Sequence, residues 1–183
     1  LLAQYHADGK RKDMHELLHS VVTLAALIFG FVGLVMSLFM ADIAPYLVGF
    51  TGESLELYIG FARLALITNF LFVFGNAFGQ YLITVQKYWV YGLTPMLYTL
   101  GTILGTIFLT PTYGAYGPMY GTLGGAVVYV VLRAIAVILE GAKDDGADVK
   151  WIFIHPDLRH VLRLMWPRMM ALGILQGQLL LFD

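Results

Sequence analysis

The sequence has 183 residues, 59% of them apolar and only 13% charged, with a formal net charge of −1. A soluble domain carries roughly 25% charged residues, so this chain cannot cover a water-facing surface, which excludes a cytosolic domain and a disordered segment. With 11 Lys+Arg against 12 Asp+Glu and no cysteine, it also lacks the basic excess of a nucleic-acid binder and the bridges of a disulfide scaffold.

The mean hydropathy of +0.76 points to hydrocarbon as the solvent. About 20 apolar residues cross a bilayer as a helix, and five such spans are predicted. Span one covers about Ser20–Met40 and holds no charge. Span two covers about Leu57–Val85 and carries Arg63, Asn69, Asn76 and Gln80. Span three is about Trp89–Leu109, span four about Pro118–Leu139 with Arg133 inside it, and span five runs from about Val161 to Asp183, where it is cut off. These runs are too long and continuous for the alternating strands of a barrel, so the fold class is all-α, a polytopic membrane helix bundle. The first residues are polar and basic rather than a signal peptide, and the last lie in an apolar run. The chain therefore reads as a single membrane domain, an internal fragment of a longer membrane protein.

Positive charge sets the expected orientation. Lys10, Arg11 and Lys12 precede span one, Lys87 separates spans two and three, and Lys143, Lys150, Arg159 and Arg163 lie between spans four and five or at the latter's start. The two alternate loops carry no Lys or Arg. By the positive-inside rule the N-terminus is cytoplasmic. Trp89, Tyr91, Tyr113, Tyr116 and Trp166 sit near span ends, as interfacial aromatics do.

Helix packing has its own signals. Gly-x-x-x-Gly occurs at Gly75/Gly79, Gly101/Gly105, Gly117/Gly121 and Gly173/Gly177. Lipid supplies no hydrophobic drive between helices, so close backbone approach matters and glycine permits it. Pro95 and Pro167 each remove a backbone donor and are expected to kink their helices or sit near a first turn. At 100° per residue, Tyr58, Asn69, Asn76 and Gln80 form one stripe, and Tyr98, Thr99, Thr102 and Thr106 another. Polar groups facing lipid cost free energy. Each stripe either makes interhelical hydrogen bonds or walls a polar substrate path. Arg63 and Arg133 lie near span ends, where snorkelling is expected, and Arg168 and Gln176 are further polar residues of the last span.

His15-Glu16-Leu17-Leu18-His19 is a literal H-E-x-x-H. On a helix the two imidazoles could bind zinc, with Glu16 as general base, giving a membrane zinc protease as a competing reading. A catalytic zinc needs a third protein ligand, and the possible ones, His155, Asp157 and His160, are distant in sequence. A short amphipathic lead-in helix explains the same residues without a metal.

Five stretches together resemble the MurJ (MviN) family of lipid II flippases, within the multidrug/oligosaccharidyl-lipid/polysaccharide (MOP) exporter superfamily. Leu2-Ala-Gln-Tyr5 is similar to the end of that family's second helix. Gly49-Phe-Thr-Gly-Glu-Ser-Leu-Glu-Leu57 with Phe61-Ala-Arg-Leu64 resembles the passage into its fourth. Pro95-Met-Leu-Tyr-Thr-Leu-Gly-Thr-Ile-Leu-Gly105 resembles its fifth helix, and Gly114-Ala-Tyr-Gly117 with Tyr120-Gly-Thr-Leu-Gly-Gly125 its sixth. Leu162-Arg-Leu-Met-Trp-Pro167 with Gly173-Ile-Leu-Gln-Gly-Gln178 resembles the seventh. The family's usual Asn is Thr99 in the fifth helix and Gln178 in the seventh, and Arg133 takes a commonly neutral position. The resemblance implies helices three to seven of a fourteen-helix, two-lobed transporter, most of the N-terminal lobe. The helices that carry most of the family's substrate arginines are absent.

The resemblance implies a flippase rather than an enzyme. It would move a lipid-linked peptidoglycan precursor of the undecaprenyl-pyrophosphate type across the bacterial cytoplasmic membrane by alternating access. Its partners would be that lipid, membrane lipid and the missing helices of the same chain. No cofactor, metal or nucleic acid is implied. Arg63, Asn69, Asn76, Gln80, Tyr98, Thr102, Thr106, Gln176 and Gln178 are the candidate residues of its substrate cavity. The alternatives are a polysaccharide-lipid or multidrug exporter of the same superfamily and a degenerate copy serving as an envelope scaffold. No Asp or Glu lies deep in spans one to four, which argues against cation antiport.

Overall fold

The computed structural model describes residues 2–141, 155–163 and 166–167. Gln176, Gln178, Arg168, the Gly173/Gly177 pair and most of span five lie outside the described residues, which are helical apart from short connections and contain no strand. A short α1 (Leu2–Ala7) leads into α2 (Arg11–Leu47), α3 (Glu53–Thr84) and α4 (Tyr88–Leu104). A π-helical turn at Gly105–Leu109, the short α5 (Thr110–Tyr113) and a 3-10 turn at Gly114–Tyr116 then lead into α6 (Gly117–Gly141).

Three continuous helical stretches, Arg11–Leu47, Glu53–Thr84 and Tyr88–Gly141, are long and apolar enough to cross a membrane. The third doubles back near Gly114, whose φ of 57° suits glycine, so it forms two antiparallel legs. At about 1.5 Å per residue α2 is far longer than a hydrocarbon core of about 30 Å, and its polar start projects beyond the apolar stretch. None of α2's most apolar window is buried inside the protein. Phe31, Leu34 and Leu38 are each at least 60% exposed, an arrangement that water would oppose and lipid tails accept.

The α4/α6 contact follows from the glycines. A Cβ on Gly121 would stand 2.2 Å from the Gly101 carbonyl oxygen and 2.6 Å from the Gly105 Cα. A Cβ on Gly125 would meet the Tyr98 Cα at 2.6 Å. The two Gly-x-x-x-Gly patterns therefore face each other and let the backbones touch, as the spacing predicts. Gly75 and Gly79 serve differently: they leave room on α3 for the side chains of Tyr129 and Arg133 from α6.

Breaks in the helices have local causes. Between α3 and α4, Gln86 takes a left-handed φ of 60°, and the Lys87 N–H reaches back to the Leu82 carbonyl at 2.8 Å, closing the end of α3. The π turn arises where the Thr110 N–H bonds the Gly105 carbonyl five residues back, just before Pro111, which has no N–H to continue the ladder. The buried core sits at the charged end, where Met14, Leu17 and Leu18 of α2 pack with Tyr5, Tyr81, Leu82 and Val137.

Candidate functional site

Between α2 and α3 lies an open groove of about 670 Å³. Phe29, Val32 and Gly33 line it from α2, with Leu66, Asn69, Phe70, Phe72, Val73 and Asn76 from α3. Asn69 and Asn76 are seven residues apart, two helical turns, so the same face presents both amides to the groove. Asn76 also accepts a hydrogen bond from the Tyr129 hydroxyl at 3.1 Å. Arg63, one turn beyond Leu66, is exposed and donates from Nε to the Ser37 carbonyl of α2 at 3.1 Å. It thus joins the two helices at one end of the groove. Gln80 is exposed one turn past Asn76, while Tyr58 packs edge-on against Phe50 away from the two amides.

The second stripe is divided. Thr102 meets Thr122 of α6 in a 2.7 Å hydroxyl pair, an interhelical bond. Thr106 donates back to the Thr102 carbonyl at 2.8 Å and is exposed. Tyr98 packs edge-on against Phe72, a groove residue, at a centroid distance of 5.2 Å. The structure therefore brings Asn69 and Asn76 together and sets Tyr98 behind one wall of their groove. Thr102 serves the α4/α6 contact.

Arg133 does not snorkel. It is 1% exposed and sits where α3, α4 and α6 meet. Its Nε donates to the Thr94 hydroxyl at 2.7 Å, Nη1 to the Gly75 carbonyl at 2.7 Å and the Tyr129 hydroxyl at 2.6 Å, and Nη2 to the Tyr91 carbonyl at 2.9 Å. The guanidinium also lies 4.3 Å from the centre of the Tyr129 ring and 4.9 Å from that of Tyr91. Tyr91 is four residues before Pro95, so its carbonyl has lost the helix donor that an ordinary residue would supply. Arg133 replaces that donor. The proline and the arginine were each visible in the sequence, but nothing local pairs them.

At the charged end the H-E-x-x-H residues diverge. His15 shares a 3.1 Å hydrogen bond with the Tyr81 hydroxyl of α3. Glu16 instead lies near Asp13 and His155. The motif's base and its first imidazole therefore serve different neighbours. The Tyr5 hydroxyl donates to the Asp157 carboxylate, which holds the phenol protonated and, with burial and the charge of Asp157, pushes its pKa up to about 12. Lys87 pairs with Glu140 at 3.5 Å, tying the α3–α4 turn to the end of α6.

The family model described as lipid II flippase MurJ matches residues 1–181. No curated protein and no solved structure gives a match.

Proposed function

Because the chain belongs to the lipid II flippase MurJ family, we propose that it forms part of the N-terminal lobe of a transporter that flips a lipid-linked peptidoglycan precursor by alternating access. The observation that carries this reading is the family match over nearly the whole chain. The groove between α2 and α3 supports it. A sugar–pyrophosphate headgroup crossing hydrocarbon needs water, amides and positive charge, and the lipid tail needs an apolar wall. Asn69 and Asn76 supply amides, Arg63 a cation at the groove's end, and Phe29, Val32, Phe70 and Val73 the apolar wall. Gln80, exposed one turn past Asn76, continues the same face of α3, and Tyr98, Thr106, Gln176 and Gln178 remain further candidates for the path. The cationic end, with Lys10, Lys12 and Lys87, faces the cytoplasm on the positive-inside rule.

The mechanism needs no covalent chemistry. The α4/α6 pair, joined by glycine contact and Arg133, moves as one body, while the open α2/α3 groove accepts the headgroup from alternate sides. The test is expression of the full reading frame in cells depleted of their own lipid II flippase. Restored growth and wall synthesis are expected. Failure with the protein present and inserted overturns the reading in favour of a sister exporter or a scaffold.

A further inference from the structure

The charged end of the molecule carries a second set of side chains that transport through the groove does not use. Asp13 and Glu16 lie one turn apart on α2, and His155 approaches them from the segment that follows α6. One ring nitrogen of His155 and one carboxylate oxygen of each acid all lie within 4.8 Å of one another. Glu16 and His155 are each 6% exposed. Among the described residues the Glu16 carboxylate has no hydrogen bond, and its nearest cation is Lys12 Nζ at 3.9 Å, on a half-exposed side chain. Two carboxylates and an imidazole thus converge at one place, with the Lys12 ammonium at its edge.

The imidazole is held in place rather than loose. Its Nδ1 accepts the backbone N–H of Asp157 at 3.2 Å, and its ring stands edge-on to Tyr5 at 6.3 Å. Tyr5 in turn donates to the Asp157 carboxylate. With Nδ1 accepting, the neutral ring carries its proton on Nε2, so an ion would take the Nδ1 lone pair in place of the Asp157 N–H. We propose that Asp13, Glu16 and His155 form a site for a divalent transition-metal ion of the Zn²⁺ class. The ion clips residues 155–163 to the start of α2. Two carboxylates and one imidazole suit Zn²⁺, whose bonds of about 2.0–2.2 Å close the observed spacing with small side-chain rotations and leave a fourth position for water. The site is distinct from the H-E-x-x-H reading, because His15 is engaged by Tyr81 and takes no part.

The test uses the full chain in lipid nanodiscs, stripped by chelator, freed of any affinity tag and titrated with Zn²⁺ alone. One ion per chain is expected, together with a higher melting temperature. Glu16→Gln and His155→Gln should each weaken binding by about tenfold or more and lose the thermal gain. Asp13→Asn, at a partly exposed position, provides a variant that folds if Glu16→Gln does not. His15→Gln should bind as the parent does. Absence of a retained ion, equal affinity in the parent and the three ligand variants, or loss on His15→Gln with retention on His155→Gln would each overturn the proposal.

Discussion

A buried arginine without a carboxylate beside it would be costly in any solvent, and Arg133 shows how neutral acceptors make it tolerable. Its partners are Thr94, Tyr129 and the carbonyls of Gly75 and Tyr91, and two aromatic faces add cation–π attraction. Truncation to alanine leaves the Tyr91 carbonyl with only the long 3.4 Å contact from the Thr94 hydroxyl. Arg133→Ala is therefore expected to lower stability by about 2–4 kcal/mol, read as a melting shift in detergent. The explanation makes a sharper demand on the double variant. Pro95→Ala restores an N–H to the Tyr91 carbonyl, so it should recover about 1 kcal/mol of the loss in the Arg133→Ala background. Strict additivity of the two substitutions would show that the proline and the arginine are unrelated. Tyr5 gives a second residue-scale prediction, in pH. Its pKa of about 12 in the fold exceeds the ordinary 10.0 because the phenol donates to Asp157. The folded state thus holds this proton more tightly, and the contribution to stability is intact below pH 10 and lost as pH rises through 12. The difference in phenolate absorbance between the parent and Tyr5→Phe should titrate near 12; a midpoint near 10 would contradict the hydrogen bond.

At the scale of elements, the α4/α6 pair is set by backbone contact rather than by side-chain bulk. Gly101, Gly105, Gly121 and Gly125 occupy the crossing, and an added methyl at Gly121 meets the Gly101 carbonyl oxygen at 2.2 Å. No side chain can move aside there, so the helices must separate. Gly121→Ala is expected to cost about 3 kcal/mol or more, through lost contact along both helices. Gly124 is the internal control. It is exposed on the same helix with nothing within 4 Å of an added Cβ, so Gly124→Ala should be neutral or stabilising by up to about 1 kcal/mol. Equal melting shifts for the two substitutions would mean that the glycines act through helix propensity and not through the crossing. This contact was legible in the sequence because a four-residue spacing of glycines is a local pattern with a direct physical use. The π turn beside it was not. It depends on how the Gly105 carbonyl is reached from Thr110, a choice of backbone geometry that Pro111 alone does not specify.

For the whole molecule, the apolar runs made the helices readable, because hydrocarbon length and backbone satisfaction leave few other solutions. The pairing of distant side chains was less readable. Arg133 and Thr94 lie 39 residues apart and Asn76 and Tyr129 lie 53 apart, and no periodicity links them. The stripe logic identified Asn69 and Asn76 as sharing a face of α3. It did not distinguish a residue lining a groove from one bonded across helices, and Thr102 belongs to the second kind. That distinction supplies the test of the transport path. Asn69 lines the groove and is exposed, so Asn69→Leu should leave the melting temperature within the range of a surface change, about 0.5 kcal/mol. If the headgroup passes there, the same substitution removes a polar contact and narrows a hydrated route, and rescue of flippase-depleted cells should fall about tenfold. Asn76→Leu should reduce both quantities, because it also takes away the acceptor of the Tyr129 hydroxyl. Thr102→Val should act in the opposite sense to Asn69→Leu, lowering stability through the lost Thr122 partner and sparing flipping in proportion to the folded protein that remains. A normal rescue by Asn69→Leu at normal stability would remove the α2/α3 groove from the substrate path and turn the search to the surfaces that face the rest of the transporter.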